Sequence, residues 1–331
     1  MVRMPALVVP PRLVPSPLPL LTPRDADIRL DLAERRGEVR RVARGVYVDD
    51  AGWSALPPWR RYLVRVHAAA LTHPGTTLFL ESAAAVLGLP VLAEPAEVHL
   101  LTETGTARAS RGVRIHQSAH RRDIVEIDGL RVVSRADTAI DIARSRHLAA
   151  GVAVFDALLR RSDAPSRDDL AEMSGDRPIG RGSGRSSEAI AFANPLAETP
   201  LESVSRCAAT WLGYDEPHLQ EQIVTRDGRA QRVDMWWQHE RVIGEADGAV
   251  KYDGTYGAPA EVVLAEKQRD RLLREHANVA RWGWREVRDP RELEETLHAA
   301  GLVRRRPPRY ALLATLPAAL GGMLAQPVLE R

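Results

Sequence analysis

The chain has 331 residues, which is enough for two or three domains that each bury a core. Hydrophobic residues make up 44% of it and charged residues 27%, which excludes a disordered or fibrous protein. The net charge of +2 excludes a strongly basic protein whose overall charge would by itself indicate a nucleic-acid partner. A single cysteine, Cys207, excludes a disulfide within the chain, and we expect a reducing cytoplasm.

Two apolar segments have the composition of targeting or membrane signals but not their continuity. Residues 1–24 are broken by prolines and Arg12, so we predict a proline-rich arm and no signal peptide. The apolar part of residues 301–331 follows a basic run and is interrupted by Pro317 and by Gly321-Gly322. For this tail we predict a short docking helix or frayed chain, and no membrane partner.

Residues 25–50 predict a helix followed by a two-stranded hairpin. In "EVRRVARGVYV" valines alternate with arginines, and Gly45 marks the turn. A helix followed by a basic hairpin is typical of the end of a winged helix-turn-helix. We therefore predict that Arg40, Arg41 and Arg44 contact DNA phosphates. An ordinary hairpin with a solvated arginine face explains the same pattern.

Residues 51–161 predict an α/β domain. "PPWRRYLVRVHAAALTH" and "FLESAAAVLGLPV" have helical spacing, "EVHLLTE", "GVRIHQS" and "DIVEIDGLRVVS" favour strands, and two more helices follow Ser134, a candidate N-cap. Residues 162–187 are rich in glycine, serine and arginine without an apolar period, so we predict a polar linker.

Residues 188–300 predict a small mixed sheet with helices on its faces. The order is a helix capped by Thr199, a three-strand meander with a turn at Asp227-Gly228, then a helix, a strand and a helix. We expect the tryptophans of these strands to pack the sheet instead of stacking on bases. They are Trp236, Trp237, Trp282 and Trp284. The overall expectation is an α+β protein.

Acidic residues stand at the ends of apolar strands in this domain, which we predict to be buried. Asp234 lies on the second strand of the meander, and Glu245 and Asp247 end the third. Antiparallel neighbours joined by a short turn bring such side chains together, and Glu202 arrives from the preceding helix. Phosphodiester cleavage needs a metal ion held by two or three carboxylates. We predict a Mg²⁺ or Mn²⁺ site here, with Lys251 stabilising the charge of the transition state.

A resemblance strengthens this hypothesis. The phrases "LESVSR", "RVDMWW", "VIGEADGAVKY" and "EKQRDRLLRE" resemble a bacterial family with the fold of PD-(D/E)XK nucleases, near the very-short-patch-repair endonucleases. The resemblance implies that Glu202, Asp234 and Glu245 match the acidic positions of a nuclease. These enzymes usually carry lysine two residues after the second acid, where this chain has Asp247. Lys251 is the expected substitute, and Lys267 on the following helix is the alternative.

The first half resembles a second family. "RRVARGVYV", "ESAAAVLGLPV", "VVSRADTAIDIAR" and "FDALLRR" are similar to AbiEi-type antitoxins and transcriptional regulators, in which a winged helix precedes an α/β domain. Together the resemblances imply a DNA-binding protein with a Mg²⁺-dependent endonuclease or nickase domain. The alternative is an antitoxin-like regulator with a silent nuclease fold. A third reading is an interaction protein that neutralises a toxin protein.

Overall fold

A computed structural model describes these parts of the chain: residues 12–24, 29–103, 106–118, 120–247 and 260–321. They form two compact units. The first comprises residues up to 145 together with 161–187, and the second comprises 146–160 together with the residues from 188 onward. Each unit combines helices with a sheet that contains parallel and antiparallel pairs, so the predicted α+β class is confirmed.

The elements follow one another in a fixed order along the described residues. The first part of the chain forms α1 (Leu30–Arg35), β1 (Val39–Ala43), β2 (Val46–Asp49), α2 (Asp50–Ala55), α3 (Pro58–Thr72), β3 (Thr77–Leu78), α4 (Leu80–Leu87), β4 (Val98–Thr102), β5 (Arg108–Ser110), β6 (Val113–Gln117), β7 (Ile124–Ile127), β8 (Leu130–Val133) and α5 (Arg135–Ser145). The second part forms α6 (Leu148–Leu159), α7 (Arg167–Gly175), α8 (Ser183–Phe192), α9 (Pro200–Trp211), β9 (His218–Val224), β10 (Ala230–Trp237), β11 (Val242–Ala246), α10 (Ala260–His276), β12 (Asn278–Trp282), α11 (Trp284–Arg288), α12 (Pro290–Ala299) and α13 (Tyr310–Ala319).

The first unit begins with a helix packed on a hairpin. Strands β1 and β2 pair antiparallel, and α1 covers them through a small apolar cluster. The cluster consists of Leu30, Ala33, Val39 and Tyr47, with Leu21 against it. The helix and hairpin predicted from residues 25–50 are therefore present in the described part of that range. Their assignment to a winged helix-turn-helix stays a prediction.

The remaining strands of this unit form a six-stranded mixed sheet in the order β5-β6-β4-β3-β8-β7. Helices α3 and α4 pack on it, and α5 packs on α4. Helix α4 ends at Gly88, which adopts a left-handed φ of +71°. The N-cap role predicted for Ser134 is confirmed, since its Oγ accepts from the Asp137 N–H at 3.2 Å.

Residues 162–187 are more ordered than the linker predicted from their composition. Helix α7 forms within them because Ser166 and Asp169 cap each other's main-chain N–H groups. Buried Arg177 then donates to carboxylates of α5, including Asp141 Oδ1 at 2.6 Å. The prediction of a linker was wrong here, because caps, ion pairs and the single buried leucine Leu170 order a segment that has no apolar period.

The second unit contains a four-stranded sheet in the order β12-β11-β10-β9. Strands β9, β10 and β11 form the predicted antiparallel meander, and β12 adds a parallel neighbour to β11. One face packs against α10 through Trp236, Ile243 and Leu273. Trp282 points to the opposite face, where its Nε1 donates to an α9 serine at 2.7 Å. Helices therefore cover both faces, as the sequence predicts.

Three of the four tryptophans predicted to pack the sheet lie on its strands, and the prediction is wrong for the fourth. Trp236, Trp237 and Trp282 are buried on strands. Trp284 is half-buried and belongs to α11, although the sequence pattern extends the last strand through it. The strand ends earlier because Glu286 Oε2 accepts from the Gly283 N–H at 2.7 Å and starts a helix.

The segment after residue 300 is attached to α9 in the described range. Arg305 N donates to Gly213 O at 2.8 Å, and Arg309 N donates to Trp211 O at 2.7 Å. Helix α13 follows and buries Leu313. The arginines form ion pairs inside the unit: Arg304 with Glu294, Arg305 with Glu240, Arg306 with Asp215 and Arg309 with Glu188. None of the described helices is both long and apolar enough to cross a membrane.

Candidate functional site

Strand pairing places Asp234 of β10 next to Glu245 of β11. The antiparallel register pairs Met235 with Gly244, so one step further along each strand Asp234 and Glu245 face each other. Asp234 Oδ2 also accepts a hydrogen bond from Ala246 N at 2.9 Å. Asp234 has the strand parity of Trp236, and Glu245 has that of Ile243, two residues that cluster with Leu273 of α10. The two carboxylates therefore lie on the same face of the sheet.

Glu202 reaches the same region from the first turn of α9. Its Oε1 accepts from Thr199 Oγ1 and its Oε2 from Glu198 N, each at 2.9 Å. Gln220 Nε2, on strand β9, donates to the same Oε2 at 2.9 Å. Only 3% of Glu202 is exposed, so this carboxylate is held rigidly inside the unit. The cap at Thr199 is the one predicted from the sequence.

An arginine of α10 forms an ion pair with the Glu245 carboxylate. Arg269 Nη1 and Nη2 donate to the two oxygens of Glu245, each at 3.1 Å. Its Nη2 also donates to the main-chain oxygen of Arg232 at 2.8 Å. The pair is a bidentate ion pair, the geometry that arginine forms best with carboxylates. It connects α10 to β10 and β11.

A second arginine holds Asp247. Arg281 lies beside Glu245 in the parallel register of β11 and β12, and its Nη1 donates to Asp247 Oδ2 at 2.8 Å. Arg281 also contacts Asp270 of α10, with 3.2 Å from Nε to Oδ1. The four predicted acids therefore meet at one place, together with two arginines.

The shared environment shifts the protonation of the acids. Burial, and then the charges of Glu202 and Asp247, raises the pKa of Asp234 from an ordinary 3.8 to about 6. Burial also raises the pKa of Glu245, with the Asp234 charge acting in the same direction and Arg269 opposing it. For Glu202 the pKa is raised, chiefly by burial. A carboxyl group whose pKa is raised toward neutral pH, beside other carboxyl groups, is typical of functional sites.

Three residues that contact the predicted acids were not predicted from the sequence: Gln220, Arg269 and Arg281. The signal for Arg269 is its spacing of four residues from buried Leu273, which places both on the sheet-facing side of α10. Neither of the two predicted lysines is seen at the acids in the described part of the chain. Lys251 lies outside the described residues, and Lys267 is exposed on α10.

The donor atoms suit a divalent cation, but two of the acids already have cationic partners. Carboxylate and amide oxygens are the ligands that Mg²⁺ and Mn²⁺ prefer. Gln220 Oε1 adds a buried acceptor with no hydrogen-bond partner in the described parts of the chain. Over those same parts, no three His, Cys, Asp or Glu side chains are arranged as a metal-binding group. A cation would have to share or displace the ion pairs of Arg269 and Arg281.

The hairpin arginines of the first unit differ in their partners. Arg40 Nε donates to Asp50 Oδ1 at 2.7 Å, and Arg41 Nη2 donates to Glu34 Oε2 at 2.6 Å. Arg44 is exposed, and no ion pair of it is seen among the described residues. Arg44 is therefore the most available of the three for an anionic partner.

Comparison with known proteins gives relatives without an assigned activity. No protein-family model matches the chain. The chain is similar to two Mycobacterium tuberculosis proteins, uncharacterized protein MT2308 of strain CDC 1551 / Oshkosh and uncharacterized protein Rv2248 of strain ATCC 25618 / H37Rv. Each is 28% identical over 248 residues, which cover 75% of this chain and 86% of the relative. The similarity thus extends over most of both sequences, and the function must be argued from the site.

Proposed function

We propose that this chain is a DNA-binding protein whose second unit hydrolyses phosphodiester bonds as a Mg²⁺-dependent DNA endonuclease or nickase. The observation that carries the proposal is the convergence of Asp234 with Glu202, Glu245 and Asp247, where burial and like charge raise the pKa of Asp234 to about 6. Such a cluster is unfavourable for a purely structural purpose, because buried like charges repel. A divalent cation would relieve that repulsion.

The residues take separate roles in this proposal. Asp234, Glu245 and Asp247 would hold Mg²⁺ or Mn²⁺, and Glu202 would assist from α9. The bound cation would supply positive charge to the phosphate and an activated water. Lys251 is proposed to stabilise the developing negative charge, and Arg269 and Arg281 stand beside the acids as further cations. The resemblance to PD-(D/E)XK nucleases supports this distribution of roles.

DNA is the proposed partner because two features point to it. The hairpin presents Arg44 to solvent, and the first half resembles AbiEi-type regulators with a winged helix. Arginines on a hairpin contact phosphates without reading sequence. A cytoplasmic location, expected from the lone cysteine, belongs to the same proposal.

The ion pairs of the site favour a second candidate function. Arg269 and Arg281 already neutralise Glu245 and Asp247 without any metal. A protein whose acids are compensated in this way could bind DNA and a toxin protein while its nuclease fold stays silent. This second candidate is an antitoxin-like transcriptional regulator.

Plasmid nicking separates the two candidates. The pure chain is incubated with supercoiled DNA and Mg²⁺ or Mn²⁺, alongside Asp234→Asn and the control Asp128→Asn. Asp128 is an exposed turn residue with φ +52°, a conformation that asparagine accepts. Nicking by the wild type and Asp128→Asn, but not by Asp234→Asn, supports the nuclease. Absence of nicking with retained, salt-sensitive DNA binding supports the regulator.

A further inference from the structure

Gln220 adopts an unusual main-chain conformation opposite Asp234. On either side of it, Glu221 pairs with Val233 and Leu219 pairs with Met235, so Gln220 faces Asp234 across β9 and β10. Its φ is +54°, in the left-handed region that side chains other than glycine rarely adopt within a strand. Residues persist in such conformations where the surrounding structure holds them, often at functional sites.

The amide of Gln220 has one satisfied end and one unsatisfied end. Its Nε2 donates to Glu202 Oε2 at 2.9 Å. A carboxylate only accepts hydrogen bonds, so the NH₂ group must face Glu202 and the oxygen must face elsewhere. That oxygen, Oε1, is buried and has no hydrogen-bond partner in the described parts of the chain. Buried polar atoms without partners are rare, and each calls for an explanation.

We propose that Gln220 is a fifth member of the acidic site, a neutral ligand whose Oε1 faces the divalent cation or a water bound to it. This inference rests on the proposed function. Through Nε2 the same amide positions Glu202, so one side chain would both fix an acid and complete the oxygen donor set. Amide oxygen is an ordinary ligand for hard divalent cations and adds no charge to a site already rich in carboxylates.

Direct Mn²⁺ binding to the full chain, measured by titration calorimetry without DNA, tests this role. Gln220→Met removes both amide atoms, whereas Gln220→Glu keeps an acceptor oxygen and loses the donor to Glu202. Gln222→Met is the matched control, because Gln222 is an exposed glutamine of the same strand. We expect the Mn²⁺ Kd to rise about 10- to 100-fold in Gln220→Met. Gln220→Glu should stay within about threefold of the wild type or bind more tightly, and Gln222→Met should not change.

The other outcomes overturn the inference in distinguishable ways. If Gln220→Met and Gln220→Glu weaken binding equally, the amide only holds Glu202 and Oε1 is no ligand. If Gln220→Met binds like the wild type, Gln220 lies outside the site while the proposed function stands. If the wild type binds no Mn²⁺, the metal-dependent function fails together with the inference. Should Gln220→Met fail to melt cooperatively, Gln220→Asn carries the same prediction, because asparagine accepts a left-handed conformation but is one methylene shorter.

Discussion

Arg269 donates to both oxygens of the Glu245 carboxylate and to the main-chain oxygen of Arg232, so one guanidinium connects helix α10 to two strands. Glu245 is only 5% exposed, and an unpaired carboxylate at such a place is costly. The same contact occupies ligand atoms that a metal would need. Arg269 therefore links the stability of the unit to the availability of the site.

Removing this arginine should destabilise the protein. Arg269→Gln leaves Glu245 buried without its counter-charge, and we expect the free energy of unfolding to fall by about 3 kcal/mol. The double variant Arg269→Gln with Glu245→Gln should recover much of that loss, because no charge is left uncompensated. Urea denaturation monitored by tryptophan fluorescence measures both.

The matched control for this change is Arg271→Gln on the same helix. Arg271 pairs with Glu275 at 3.0 Å on the exposed surface, so its loss should alter the free energy of unfolding by less than about 0.5 kcal/mol. Equal effects of the two substitutions would contradict a specific role for the Arg269–Glu245 pair.

The raised pKa of Asp234 predicts a pH-dependent effect of Asp234→Asn. The folded pKa of about 6 lies above the ordinary 3.8, so the folded state binds the proton more tightly than the unfolded state. The stability gained from protonated Asp234 is thus fully present below pH 3.8 and is lost as pH rises through 6. At about 1.4 kcal/mol per pKa unit, this difference corresponds to about 3 kcal/mol.

Asp234→Asn should therefore match the wild type near pH 4 and exceed its stability by up to about 3 kcal/mol at pH 8. The measurement is the free energy of unfolding at both pH values, in EDTA so that no cation compensates the charge. A variant that is destabilised more at pH 8 than at pH 4 would contradict this prediction, because it would show that the Asp234 carboxylate is stabilising as an anion.

The parts of the fold that depend on local signals could be predicted, and the partners of the acids could not. The meander follows from strand alternation and the turn at Asp227-Gly228, which are properties of neighbouring residues. Arg269 lies 24 residues from Glu245 along the chain. Its contact depends on how α10 docks on the sheet. No local pattern reports the register of parallel β12 beside β11, which places Arg281 next to Glu245.

The polar segment 162–187 gives a third prediction, because its turn fits tightly against α5. A Cβ on Gly182 would lie 1.8 Å from the main-chain oxygen of Arg144, and the glycine has a φ of +88°. Gly182→Ala must therefore displace the turn, and we expect a loss of at least about 2 kcal/mol in the free energy of unfolding. Gly184→Ala is the matched control, since a Cβ there meets nothing within 4 Å and the residue is helical.

Gly184→Ala should be neutral or stabilising by up to about 1 kcal/mol, because alanine favours a helix over glycine. Thermal melting of the two variants side by side decides the question. Identical melting temperatures would mean that the segment is a loose linker after all, as its composition predicts.

The hairpin arginines give the last prediction, which concerns DNA binding by the first unit. All three arginines are exposed, but Arg40 and Arg41 form ion pairs with Asp50 and Glu34, whereas no ion pair of Arg44 is seen among the described residues, so a phosphate would meet the least competition at Arg44.

Arg44→Ala should therefore weaken DNA binding more than Arg40→Ala or Arg41→Ala does. Loss of one phosphate contact should reduce the slope of log affinity against log salt by about one. Fluorescence anisotropy of a labelled duplex, at salt concentrations from about 50 to 200 mM, measures affinity and slope together. An unchanged slope in Arg44→Ala and in the triple alanine variant would remove the hairpin from the DNA interface and leave the second unit as the remaining candidate.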